Sequence, residues 1–204
     1  MTSYLQRVTV TMHPRPRIYV LPLGEEIGKD VIEIIAANLQ VNFSLPAAIM
    51  APQPLPDETY NAHRDQYNAL SILKFIQSLP PPPEAKLLAV VNADLFIPIL
   101  THVFGEAQLD QAGAVVSLWR ISRVNDGGAA PLPLFYERAA KLAVHELAHT
   151  FNLSHCLEPN CLLNYLPDLD SLDAQPLIFC RYCQMFLEEK IAKLFPRITS
   201  TETP

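Results

Sequence analysis

The stretch that decides the reading is His145-Glu146-Leu147-Ala148-His149-Thr150-Phe151-Asn152-Leu153-Ser154-His155-Cys156. It lies at the end of a segment, about Leu134 to Phe151, that reads as a helix. On a helix, a spacing of four puts His145 and His149 on one face, a turn apart, where two imidazoles can share one tetrahedral metal. Zinc is the natural guest for neutral imidazoles, and a catalytic site keeps one position open for water. Glu146, beside the first histidine, can face that water and take its proton. His155 can return as a third ligand only if the chain leaves the helix sharply after Phe151. Asn152 suits that break, because Asn is the non-glycine residue that best tolerates a left-handed backbone. Two histidines at this spacing also occur on solvated helix faces. The third histidine and the cysteines directly after it favour the metal reading.

All four cysteines follow at once. Cys156-x4-Cys161 and Cys180-x2-Cys183 form two close pairs, and two such chelating loops together give a closed Cys₄ tetrahedron for a structural zinc. The alternatives are four separate buried thiols or a redox disulfide between Cys180 and Cys183. His155 and Cys156 are covalent neighbours, so a closed cysteine site would hold the third histidine in place. The surrounding segment is rich in Pro, Asp and Asn and has little apolar content, so metal binding would supply much of its folding free energy.

The rest of the chain sets the boundaries. Its 204 residues are 50% hydrophobic and 18% charged, enough for one compact domain, or one domain with a small subdomain, and a core that needs no covalent help. A net charge of −6 disfavours a nucleic-acid partner. No apolar run reaches the length of a membrane span, and Met1 to Arg7 holds no signal-peptide core. A cytoplasmic monomer is therefore expected. Four cysteines are too few for a disulfide scaffold.

Upstream, residues 1–17 read as an irregular or edge segment and Ile18–Leu21 as a first strand. Glu25–Gln40 has apolar residues at helical spacing, opened by two acidic residues that suit the positive end of a helix. Val41–Leu45 resembles a second strand, and residues 46–56, with four prolines, a loop. A helix is expected from Ala62 to Leu79, stopped by Pro80–Pro83. Leu87–Val91 reads as a buried central strand and Ala114–Ile121 as the strand nearest the active site. Asp94–Leu100 is open between a turn and a strand, Asn125–Pro133 is a loop, and Met185–Leu194 is a closing helix. The order gives an α/β fold: a mixed sheet, a long active-site helix and a small zinc-stabilised C-terminal lobe. The division falls at residues 1–155 and 156–204.

With the cysteines placed, the His145–Cys156 stretch followed by Cys161 and by Cys180-Arg181-Tyr182-Cys183 resembles the archaemetzincins, zinc metalloproteases of the metzincin clan. His63-Arg64-Asp65-Gln66-Tyr67, Val103-Phe104-Gly105-Glu106-Ala107 and Val116-Ser117-Leu118-Trp119-Arg120 also look familiar, so the resemblance spans roughly residues 15 to 195. It implies a metzincin-like fold, catalytic zinc on His145, His149 and His155 with Glu146 as general base, and structural zinc on Cys156, Cys161, Cys180 and Cys183. Two positions depart from the family pattern. Asn152 replaces a glycine, and Leu163 stands where a methionine floor beneath the metal is usual. Leucine of similar volume should keep that packing.

The expected activity is zinc-dependent hydrolysis of peptide bonds in a peptide or protein substrate, with Val116–Arg120 as a strand on which an extended substrate could pair. The alternative is a non-catalytic, zinc-stabilised peptide-binding protein, against which the retained Glu146 argues, since a structural site needs no base. His13, His63 and His102 are read as surface or core histidines. Asp168, Asp170 and Asp173 are read as turn and cap residues before recognition sites for basic substrate side chains.

Overall fold

The computed structural model describes residues 17–25, 27–79 and 85–195. The expectations for residues 1–16, including His13, and for the stop at Pro80–Pro83 lie outside the described residues. The central strand is β5 (Lys86–Val91), buried along its whole length. It pairs in parallel with β1 (Ile18–Leu23) on one side and with β8 (Gly113–Ser117) on the other. β2 (Ala47–Ile49) extends the sheet in parallel beyond β1, and β7 (Gly105–Ala107) closes the opposite edge antiparallel to β8. The order β2-β1-β5-β8-β7 is the expected mixed sheet.

Period-two alternation divides the central strands between two cores. Ile18, Val20, Leu88, Val90, Ala114 and Val116 face one cluster. Leu21, Leu23, Leu87, Ala89, Val91 and Val115 face the other. Helices α1 (Lys29–Phe43) and α3 (Leu132–His149) cover the first face, and α2 (Ala69–Gln77) covers the second. The first cluster continues into the cysteine-rich segment through Cys161, Leu162, Leu163, Leu172, Cys183 and Leu187. Among the described residues, no helix is long and apolar enough to cross a membrane.

Several element boundaries differ from the sequence reading. Val41–Phe43 is the last turn of α1 and not a strand. Val31, Ile35, Leu39 and Phe43 form one i, i+4 stripe, and Phe43 stacks on Phe151 with ring centroids 5.3 Å apart. Ser44, at φ 51°, ends the helix, and the second strand is Ala47–Ile49, within the stretch read as a loop. The acidic pair at Glu25 precedes α1, whose first turn carries Asp30 instead. α2 begins only at Ala69, because the Asn68 side chain accepts from the amides of Leu70 and Ser71 and caps it there. The residues before that cap form β3 (Tyr60–Asn61) and β4 (Gln66–Asn68), which make a small second sheet with β6 (Leu95–Phe96). α3 starts at Leu132, with Pro133 tolerated in its first turn. Two helices follow in the C-terminal part of the described residues: the short α4 (Leu169–Ala174) and α5 (Arg181–Leu194), the latter beginning directly after Cys180.

Candidate metal centre and active-site cleft

His145 and His149 occupy the last turns of α3, and both are buried. Asn152 takes φ 65°, the left-handed turn that lets the chain fold back and bring the exposed His155 to them. One ligand atom from each of the three histidines falls within 4.8 Å of the others. The orientation of the first two rings is set from behind. His145 Nδ1 lies 2.7 Å from the Leu162 carbonyl oxygen, and His149 Nδ1 lies 2.6 Å from that of Leu153. A carbonyl only accepts, so each Nδ1 donates its proton and, in the neutral ring, leaves Nε2 as a bare lone pair. Those two Nε2 atoms stand 3.1 Å apart. Two lone pairs at that distance repel unless a cation lies between them. The separation is close to the roughly 3.3 Å edge of a tetrahedron with zinc–nitrogen bonds of about 2.0–2.1 Å. Burial pushes the imidazoles down, His145 to about 3, and so keeps them in the neutral form a metal requires.

The cysteines meet in the same way. Sulfur atoms of Cys156, Cys161, Cys180 and Cys183 all lie within 4.8 Å of one another. The Cys156 and Cys180 sulfurs are 3.8 Å apart, matching the edge of a tetrahedron with zinc–sulfur bonds of about 2.3 Å. Burial and the neighbouring sulfurs push the Cys161 and Cys183 thiols above the ordinary thiol range. The two clusters are joined at His155–Cys156 and again through Cys161 and Leu162, since the Leu162 carbonyl orients His145. Leu163 is fully buried, and its carbonyl accepts from the Cys156 amide at 2.8 Å.

Glu146 lines a cleft of about 340 Å³ together with the three histidines. Its residue is only 8% exposed, and burial, reinforced by the nearby Glu106 charge, pushes its carboxyl up to about 8. β7 and Phe104 also line the cleft, β7 in contact with Glu146, and Tyr165, another lining residue, packs its ring 5.3 Å from that of His155. β8, expected to be the strand nearest the site and open to an added strand, is instead paired on both sides, by β5 and β7. Among the described residues, the strand edge left unpaired beside the cleft belongs to Gly105–Ala107. A three-residue strand carries too little alternation to register in sequence.

The upstream segments converge on the loop that leads into β7. Arg120 grips Asp94 with two bonds of 2.6 and 2.7 Å, and Gln66 donates to Asp94 and to the Thr101 carbonyl. Arg64 donates to the carbonyls of Leu100 and Thr101. Burial alone would raise the Asp94 carboxyl, but the hydrogen bonds from Arg120 and Gln66 hold it below the usual carboxylate range. His63 is exposed, and His102 sits half-buried on the cleft wall beside Phe104.

The three aspartates of the tail are taken up by the protein itself. Asp168 caps α4 through Ser171, Asp170 accepts from Asn125, and Asp173 receives a two-pronged grip from the buried Arg138. Sequence reasoning missed one residue that shapes the site, Lys86. It is buried at the start of β5, donates to the carbonyls of Thr150 at 2.7 Å and Gln111 at 3.0 Å, and lies over the Phe151 ring. The signal was a lysine directly preceding a continuous apolar run.

Comparison with known proteins agrees with this geometry. The sequence profile of peptidase family M54 matches residues 26–189. The chain belongs to that family. It is 32% identical over 167 residues to the archaemetzincin of Archaeoglobus fulgidus, covering 82% of this chain and 96% of that one. The solved structure of that relative, complexed with malonate, superposes with a TM-score of 0.71 over 83% of this chain and 98% of its own. The archaemetzincin of Methanopyrus kandleri superposes with a TM-score of 0.77 at 26% identity, over 88% of this chain and 99% of that one. A zinc-dependent peptidase from Methanocorpusculum labreanum superposes with a TM-score of 0.74 at 25% identity, over 83% of this chain and 99% of that one. As an M54 family member this chain is a metallopeptidase, and its histidine and cysteine groups are the places where its metals can sit.

Proposed function

We propose that this chain is a zinc peptidase in which His145, His149 and His155 hold the catalytic zinc and Glu146 is the general base. Cys156, Cys161, Cys180 and Cys183 hold a second, structural zinc. The observation that carries the reading is the pair of Nε2 lone pairs 3.1 Å apart, each fixed by an Nδ1–H bond to a main-chain carbonyl. A zinc ion held by these three histidines would supply Lewis-acid polarisation of the scissile carbonyl and of the attacking water. Glu146, facing the cleft beside the three histidines, accepts the water's proton as a carboxylate and later passes it to the leaving amine. A substrate in extended form pairs with the outer edge of Gly105–Ala107, which presents its scissile bond to Glu146. The chain divides functionally between residues 155 and 156, where the last histidine ligand meets the first cysteine ligand. Four free cysteines grouped as ligands, and not as disulfides, favour a reducing, cytoplasmic setting. A peptide-binding role without chemistry gives no reason for a carboxylate to be buried beside the histidines. The test is metal analysis of zinc-replete protein combined with cleavage of a peptide library. Two zinc ions per chain and site-specific cleavage are expected. One ion or fewer per chain, or two ions with no cleavage of any peptide, would overturn the reading.

A further inference from the structure

Glu146 is almost wholly buried, and its side chain is packed closely against its neighbours. The wall it packs on is Gly105 of β7. A methyl group built on that residue would lie 2.6 Å from Glu146 Cγ and 2.8 Å from both Cδ and Oε1, and nothing but Glu146 is among its three nearest atoms. Gly105 does not need to be glycine for its backbone: the glycines with positive φ are Gly24 and Gly127. Glycine inside a strand forfeits side-chain packing and weakens the strand. Room for Glu146 is the feature of this site that accounts for it.

We propose that Gly105 is a positioning residue for the general base: its bare Cα is the surface that sets where the Glu146 carboxylate stands in the cleft. The inference rests on the base role argued above for Glu146. The helix cannot yield instead, because His145 and His149, on either side of Glu146, are tied to the Leu162 and Leu153 carbonyls. The strand cannot yield either. The amide of Ser117 donates to the Phe104 carbonyl at 2.7 Å, and the Arg64, Gln66 and Arg120 bonds fix the loop before it. An added methyl must therefore displace the side chain. Restoring an ordinary carbon–carbon contact of about 3.5 Å takes a shift of about 1 Å. A misplacement of that size lowers turnover by about 10²-fold.

The experiment is Gly105→Ala in the zinc-loaded enzyme, with Glu146→Gln and Glu146→Asp alongside. Expected are two zinc ions per chain, KM within about threefold of wild type, kcat down by about 10²-fold, and a crystal structure with the Glu146 carboxylate moved by about 1 Å. In the Glu146→Asp background, where the shorter side chain clears the methyl, the same substitution should lower kcat by less than about threefold, within the variation of a neutral change. An unmoved carboxylate, or kcat in Gly105→Ala within threefold of wild type, overturns the inference. If the single variant does not fold, folding restored by Glu146→Asp supports the proposal and continued misfolding overturns it. Wild-type turnover in Glu146→Gln would instead remove the base role itself, a failure separable from that of Gly105.

Discussion

Lys86→Met tests how the end of the catalytic helix is held. Methionine keeps most of the apolar stem and deletes the ammonium, so the substitution isolates the polar contacts. Two are hydrogen bonds from a charged donor, to the carbonyls of Thr150 and Gln111. Each such bond contributes about 1.5–3 kcal/mol. The position of Nζ 5.1 Å from the Phe151 ring centroid adds about 0.5–2 kcal/mol. Against this stands the desolvation of a buried ammonium, which lowers the Lys86 amine below its ordinary range despite Asp110 nearby. If that term offsets about half of the gross gain, the net loss is roughly 2–4 kcal/mol. For a chain of this size the melting temperature should fall by about 4–16 °C. Thr150 and Phe151 immediately precede the turn at Asn152, so loosening them also frees His155, and zinc affinity at the histidines should drop by up to roughly tenfold. Calorimetry of zinc-loaded protein, with chelator competition for the metal, reads both effects. A melting temperature within 1 °C of wild type, the noise of such a scan, would refute the claim that this lysine clamps the helix end.

Asp94→Asn should destabilise the neutral-pH protein by about 1–3 kcal/mol, because the bonds from Arg120 and Gln66 lose their charged acceptor. The folded carboxyl sits below its unfolded value of about 3.9. Its contribution is thus complete above that value and lost as pH falls through the folded one. The gap between variant and wild type in acid titrations followed by circular dichroism should narrow below about pH 4, and a constant gap down to pH 2 would contradict the assignment. Cys180→Ser should release the cysteine-site zinc and, through Cys156 and Leu162, weaken zinc binding at the histidines by about 10–100-fold. Unaltered histidine-site affinity in a metal-competition titration would show the two clusters to be mechanically independent.

Much of this could be read from the chain because the informative features are local. Four-residue spacing on a helix brings His145 and His149 together wherever that helix lies, and an asparagine at 152 permits the turn that returns His155. The two cysteine pairs likewise needed only short loops. β1, β5 and β8 announced themselves as apolar runs because both sheet faces are covered. The misreadings arise where tertiary contacts decide. Val41–Phe43 has strand-forming residues but extends the α1 stripe onto Phe151. Residues 62–68 have no helix-breaking sequence, yet Asn68 claims the helix start and Arg64 and Gln66 are drawn to Asp94 and its loop. β7, the edge that borders the cleft, is defined by its pairing with β8 and by Glu146 against Gly105, and neither relation exists in one dimension.

The central claim is that Glu146 moves the proton while three histidines hold the metal. Glu146→Gln keeps the side-chain volume and all three imidazoles, and an amide cannot accept a proton at neutral pH. Measured together on a peptide that the wild type cleaves, this variant should keep its full zinc content and lose about 10²–10⁴-fold in turnover. His149→Ala should lose the histidine-site zinc itself. Wild-type turnover in Glu146→Gln with zinc still bound would contradict the account.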